Sequence, residues 1–156
     1  MFPETPINNL YDDQGVVLMP LATYLRDSTG SGAVTRYSDA RRIRRDAAAV
    51  ILGLEVGAYT GTEYDFWCDV YVQTRIGNVW YDVKRFTRIN YTRINFNYAD
   101  KIAAGVDISE YKAETSDLQG GDKFRLIGDE WRVKWVISDS EPGASLEFAV
   151  TIIPVG

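Results

Sequence analysis

The sequence predicts an all-β protein: an antiparallel, jelly-roll-like β-sandwich preceded by an extended N-terminal arm. Three observations carry this. The aromatic residues (Tyr 10, Phe 6, Trp 4) cluster with Val and Ile rather than with Leu, Ala and Lys, a mixture that favours strands. Several segments alternate apolar and polar residues with period two. Glycine-centred turns separate these segments at hairpin spacing. At 156 residues, 46% hydrophobic and 25% charged, the chain fits one globular domain. Residues 1–32 read as arm and linker, and 33–156 as a single sandwich.

Taken in order, residues 1–15 contain Pro3, Pro6, Asn8, Asn9, Asp12, Asp13 and Gly15, which break helix and strand alike. The apolar patch Val16 to Ala22 follows, interrupted by Pro20, which is tolerated only at a sheet edge or in an extended segment. Asp27-Ser28-Thr29-Gly30-Ser31-Gly32 is a flexible loop by composition. From Ser38 to Ala49 the chain reads as a short helix capped by Ser38 or as a turn. Val50, Leu52, Leu54 and Val56 then alternate as a strand.

Tyr64 to Ile89 is a hairpin about Gly77-Asn78. Pairing Ile76 with Val79 puts Val72 opposite Val83 and Thr74 opposite Tyr81, with Cys68 and Val70 on the same, core side. The other side then pairs Arg75 with Trp80, Gln73 with Asp82, Tyr71 with Lys84 and Trp67 with Arg88. The near-repeat Thr87-Arg88-Ile89-Asn90-Tyr91 and Thr92-Arg93-Ile94-Asn95-Phe96 has a five-residue spacing that flips side-chain parity, so the chain is expected to change sheets there. Residues 99–122 read as a long connection of the kind found in jelly rolls. A second hairpin is expected from Lys123 to Ile137 about Gly128-Asp129, with Phe124, Leu126, Trp131, Val133 and Trp135 facing the core. A closing strand, Ser145 to Val155, points Leu146, Phe148, Val150 and Ile152 inward.

Chemistry is harder to find. There is no histidine, which removes Ser/His and Cys/His nucleophile pairs and most zinc sites. Asp69 and Asp82 fall on the outward side of the first hairpin, where ordinary solvated acids belong, and catalysis by perturbed acids needs burial. Asp12-Asp13 and Asp139-Ser140-Glu141 lack the ligand alternation of a calcium loop. The lone Cys68 reads as a buried, inert thiol. The glycine-rich loop 28–32 lacks the Gly-Lys-Ser/Thr ending of a phosphate loop. No cofactor or metal is therefore expected, nor an enzymatic activity. A net charge of −5 argues against nucleic acid as the direct partner. No apolar run approaches the roughly 20 residues of a membrane helix, and the first residues lack a basic targeting region.

What remains is surface for other proteins. Val17, Leu18 and Leu21 form an apolar patch that something must cover. Arg41, Arg42, Arg44 and Arg45 are a dense basic cluster in an acidic chain, either an acidic partner's dock or a solvated turn. Tyr64, Trp67 and Tyr71 lie on the outer face of the hairpin, covered by a second sheet or by another subunit, and Tyr, Trp and Arg are enriched in interface cores.

The run Leu52-Gly53-Leu54-Glu55-Val56-Gly57-Ala58-Tyr59 leading into the Gly77-Asn78 hairpin, together with the closing strand Leu146 to Val155, is similar in layout to tailed-bacteriophage capsid decoration, or cement, proteins. The resemblance implies a virion structural protein on the outer capsid surface, assembled in the host cytoplasm. It also implies a homotrimer that bridges major capsid proteins through its terminal arm. A phage tail or head-tail connector subunit fits the same layout. A carbohydrate-binding sandwich, with Trp67, Tyr71 and Trp80 stacking on sugars, is the alternative from another class.

Overall fold

The computed structural model describes residues 15–44, 46–104, 118–121, 123 and 125–156, and among these it holds strands and turns but no helix. The strands are β1 (Val16–Leu25), β2 (Gly32–Tyr37), β3 (Arg41–Arg42), β4 (Ala49–Thr60), β5 (Trp67–Ile76), β6 (Val79–Arg85), β7 (Ile89–Asn90), β8 (Asn97–Ala103), β9 (Glu130–Asp139) and β10 (Ser145–Val155). One sheet runs β1-β10-β4-β8 and the other β2-β9-β5-β6, with β3 added to β9 and β7 to β5. Every pairing is antiparallel.

That order is a jelly roll. With the two-residue strands set aside, the first long strand pairs with the eighth, the second with the seventh, the third with the sixth and the fourth with the fifth, as in one long ribbon rolled into two facing sheets. The inner faces carry the core. Val50, Leu52, Leu54 and Val56 of β4 and Leu146, Phe148, Val150 and Ile152 of β10 face Cys68, Val70 and Val72 of β5 and Trp131, Val133 and Ile137 of β9. The alternation read in the sequence becomes a dry layer between sheets because both β4 and β10 are central in theirs.

Several expectations need correction. Residues 16–25 are not arm but strand β1, paired with β10 from Val16↔Ile152 to Leu25↔Ser145, so position 32 does not separate an arm from a body. Register shifts flanking Met19 turn both Leu18 and Met19 inward, at 3% and 2% exposure. Pro20 is accommodated because β1 is an edge strand. Residues 1–14 lie outside the described residues. Among the described residues between Ser38 and Ala49 there is no helix: Arg41 and Arg42 pair with β9, and Ala49 opens β4 in the other sheet.

The supposed connection 99–122 begins as β8, paired with β4. The second hairpin does not form. Strand β9 pairs along its length with β5 and β2, while among the described residues Lys123 forms an isolated bridge to Lys84; Phe124 is outside the described residues. Gly128-Asp129 resembles a hairpin turn, but the strand after it satisfies its backbone with distant partners, from Arg75↔Glu130 on one side to Gly32↔Asp139 on the other, beyond any local signal.

The first hairpin keeps its expected register from Ile76↔Val79 to Gln73↔Asp82, then a bulge moves Val72 opposite Lys84 and Tyr71 opposite Arg85. Across the five-residue repeat the chain leaves β7 in the six-stranded sheet and enters β8 in the other, with Asn95 in the left-handed region at φ 56°.

Candidate functional site on the outer face of the six-stranded sheet

Alternation along β5 sends Cys68, Val70 and Val72 into the core, so Trp67, Asp69, Tyr71, Gln73 and Arg75 face away from it. The register brings Arg132 beside Gln73, Lys134 beside Tyr71, and Tyr37 beside Lys134. The bulge in β6 adds Arg85 opposite Tyr71. An outer face assembled from four strands thus carries two buried carboxylates, Asp69 and Asp82, and a layer of cations.

Asp69 and Asp82, expected to be solvated, are each 3% exposed. Asp69 accepts hydrogen bonds from Arg88 Nε at 3.0 Å, from an Arg88 terminal nitrogen at 2.8 Å and from Arg85 at 2.8 Å. Asp82 accepts from Gln73 Nε2 at 2.7 Å and from Lys134 Nζ at 3.1 Å. Gln73, fully buried, in turn accepts from Arg132 Nε at 2.7 Å. The cations sit over aromatic rings: Arg88 3.8 Å from the centre of Trp67, Lys134 4.0 Å from Tyr71, and Arg132 4.3 Å from both Tyr37 and Trp80. Such stacking excludes water from the ion pairs and makes the carboxylates affordable to bury. Burial pushes the Tyr71 phenol above its ordinary pKa, and the Asp69 bond raises the Arg88 guanidinium further.

The oxygens of Asp69 are committed to cations and those of Asp82 to Lys134 and the Gln73 amide, and burial raises the Cys68 thiol well above its usual range, with Asp69 adding to the effect. Among the described residues no three His, Cys, Asp or Glu side chains cluster as a metal site. Sugar stacking needs bare rings in a row, whereas Trp67, Tyr71 and Trp80 each carry a cation over one face.

The residues singled out in the sequence separate into groups. Tyr64 is 78% exposed and meets Tyr91 edge-on at 5.1 Å. Trp67 is half-buried under Arg88, whose side chain is 45% exposed. Tyr71 is buried at 6% and is no surface contact, because Lys134 and Arg85 cover it. Leu18 is core, while Val17 and Leu21 are exposed at 52% and 51% on edge strand β1. Arg42 reaches Asp129 at 3.6 Å and Glu130 at 3.5 Å; Arg44 bonds the Gly156 carbonyl at 2.7 Å; Arg41 is exposed. Arg45 is outside the described residues. Sequence reasoning missed Arg132 and Lys134 because their alternation with Val133 and Trp135 was read within a local hairpin.

No protein-family model matches the chain, and no curated protein is significantly similar to it. Among solved structures, a chain from the cowpea mosaic virus top component, described as naturally occurring empty particles, is similar at a TM-score of 0.43 and 12% identity, covering 89% of this chain and 85% of that one.

Proposed function

We propose that the chain is a non-enzymatic virion structural subunit, of the kind that decorates a capsid and binds both copies of itself and neighbouring shell proteins. The observation that carries this reading is the surface group at one end of the six-stranded sheet, exposed Tyr64 and Arg88 set against half-buried Tyr91 and Trp67. Its composition is that of an interface hot spot, and it is held rigid by the Asp69 network beneath it, which lowers the ordering cost of docking. The jelly roll supports the reading as a fold common in capsid subunits. A trimer at local threefold positions is the assembly proposed for it.

The test is light scattering across concentrations together with co-sedimentation on empty shells. The expected result is an oligomer that binds shells, with Tyr64→Glu weakening binding about tenfold or more, the loss expected of a hot-spot residue. A protein that stays monomeric at high micromolar concentration and binds no shell overturns the proposal.

A further inference from the structure

The loop 61–66 between β4 and β5 carries Tyr64, the exposed tyrosine of the surface group described above. Its two ends are held differently. At one end Phe66, 1% exposed, stacks on Tyr59 with ring centres 4.8 Å apart, a contact that belongs to the core. At the other, the Thr62 N–H donates to the Asp139 carboxyl at 2.8 Å, while the Thr62 carbonyl accepts from the N–H groups of Asp65 at 3.2 Å and Phe66 at 3.0 Å. Thr62 therefore closes the turn that presents Tyr64, and Asp139 fixes Thr62.

Asp139 is itself firmly seated. It is the last residue of β9, it pairs with Gly32 of β2, and it is 3% exposed. Its carboxyl also accepts from the Ser140 N–H at 2.6 Å, the Ser140 Oγ at 3.3 Å and the Glu141 N–H at 3.4 Å, and the Ser140 and Thr62 hydroxyls meet at 3.2 Å. One carboxylate thus ties the β4–β5 loop to the β9–β10 loop, and all of these donors are neutral. The charged side chains around it are Glu63 and Asp65 on the loop and Glu141 beside it, all exposed, together with Arg26, which bonds the carbonyl of Gly32. Glycine at 61 admits the carboxyl, since a Cβ there would collide with its Oδ2. Burial alone would raise the pKa of this acid, but the bonds from Thr62, with those from Ser140 and Glu141, hold it below the ordinary value. A charged acceptor binds N–H donors more strongly than a neutral one, so the tie depends on the ionised form.

We infer that Asp139 is the positioning residue of the surface group: its ionised carboxyl clamps loop 61–66 to the end of β9 and so keeps Tyr64 against Tyr91, 5.1 Å away between ring centres. That the clamped loop serves docking rests on the function proposed above; the clamp itself does not. Asp139→Asn keeps the shape and an acceptor oxygen but removes the charge. In that variant at neutral pH the Thr62 amide is expected to exchange at least about tenfold faster, and the nuclear Overhauser contact between the Tyr64 and Tyr91 rings should disappear, while β5 and β9 keep their protection. In the unaltered chain the Thr62 amide shift should titrate with a midpoint below about 3.9, a measurement that stands even where the variant fails to fold. Shell binding should weaken about three- to tenfold in Asp139→Asn, the cost of ordering a loosened side chain on docking, and the same change should weaken the Tyr64→Glu chain no further. A Thr62 amide indifferent to the variant and to acid overturns the clamp. A loss that adds in full to that of Tyr64→Glu overturns the positioning role and leaves the subunit reading standing. Absence of any shell binding overturns that reading alone, and exchange and titration then decide the clamp.

Discussion

The two outer faces of this sandwich solve opposite problems. On the four-stranded sheet, one row across the strands reads Val17, Thr151, Gly53, Ala99, small side chains that lie low and ask for no partners. On the six-stranded sheet, long side chains knit buried carboxylates to guanidinium, ammonium and amide groups across β5, β6 and β9. The first face tolerates change because little is packed on it. The second is stable only when complete, since removing one member strands a charge away from water.

Asp69→Ala should break that contrast most sharply. It leaves Arg85 and Arg88 without their shared carboxylate, and denaturant unfolding is expected to show a loss of about 3 kcal/mol, at the lower end for buried pairs because Arg88 can swing into water. Thr151→Ala on the other face should stay within about 0.5 kcal/mol. A smaller effect is expected from a double-mutant cycle on Asp82→Asn and Lys134→Met. The pair is buried and shares Gln73 and Tyr71 as neighbours, so a coupling of about 1–2 kcal/mol should appear. Strict additivity would show that the layer is a set of independent contacts and not a network.

Acid supplies a third measurement. Burial alone would raise the Asp100 carboxyl, but Lys123 and Lys84, each 2.9 Å away, hold it below its ordinary value; Asp139 is likewise lowered by backbone and side-chain bonds from Thr62, with Ser140 and Glu141. A depressed folded-state pKa gives stability that is full above the ordinary carboxylate value, about 3.9, and lost as pH falls through the folded value. Thermal unfolding should therefore lose stability below about pH 4, and Asp100→Asn should flatten that fall at the cost of lower stability at neutral pH. The smallest effect returns to the quiet face. Gly53 has extended backbone, and an added Cβ meets nothing closer than the Thr151 carbonyl at 4.0 Å, so Gly53→Ala should stabilise by about 0.5 kcal/mol. Destabilisation there would mean that the face is packed against something in solution.

The sequence by itself determined the strand class, the Gly77-Asn78 hairpin with its register to Gln73↔Asp82, and the inward rows of β4, β5 and β10, because turn chemistry and period-two alternation act between near neighbours. Tertiary structure decided everything that needed a distant partner. Leu18 became core once β10 lay beside β1, and β9 left its apparent hairpin for β5 and β2. Asp82 looked like a surface acid because its counterion, Lys134, lies 52 residues away and reaches it only across β5. A side chain's parity is written in its own strand, but whether that parity means water or burial depends on which strands come to lie beside it.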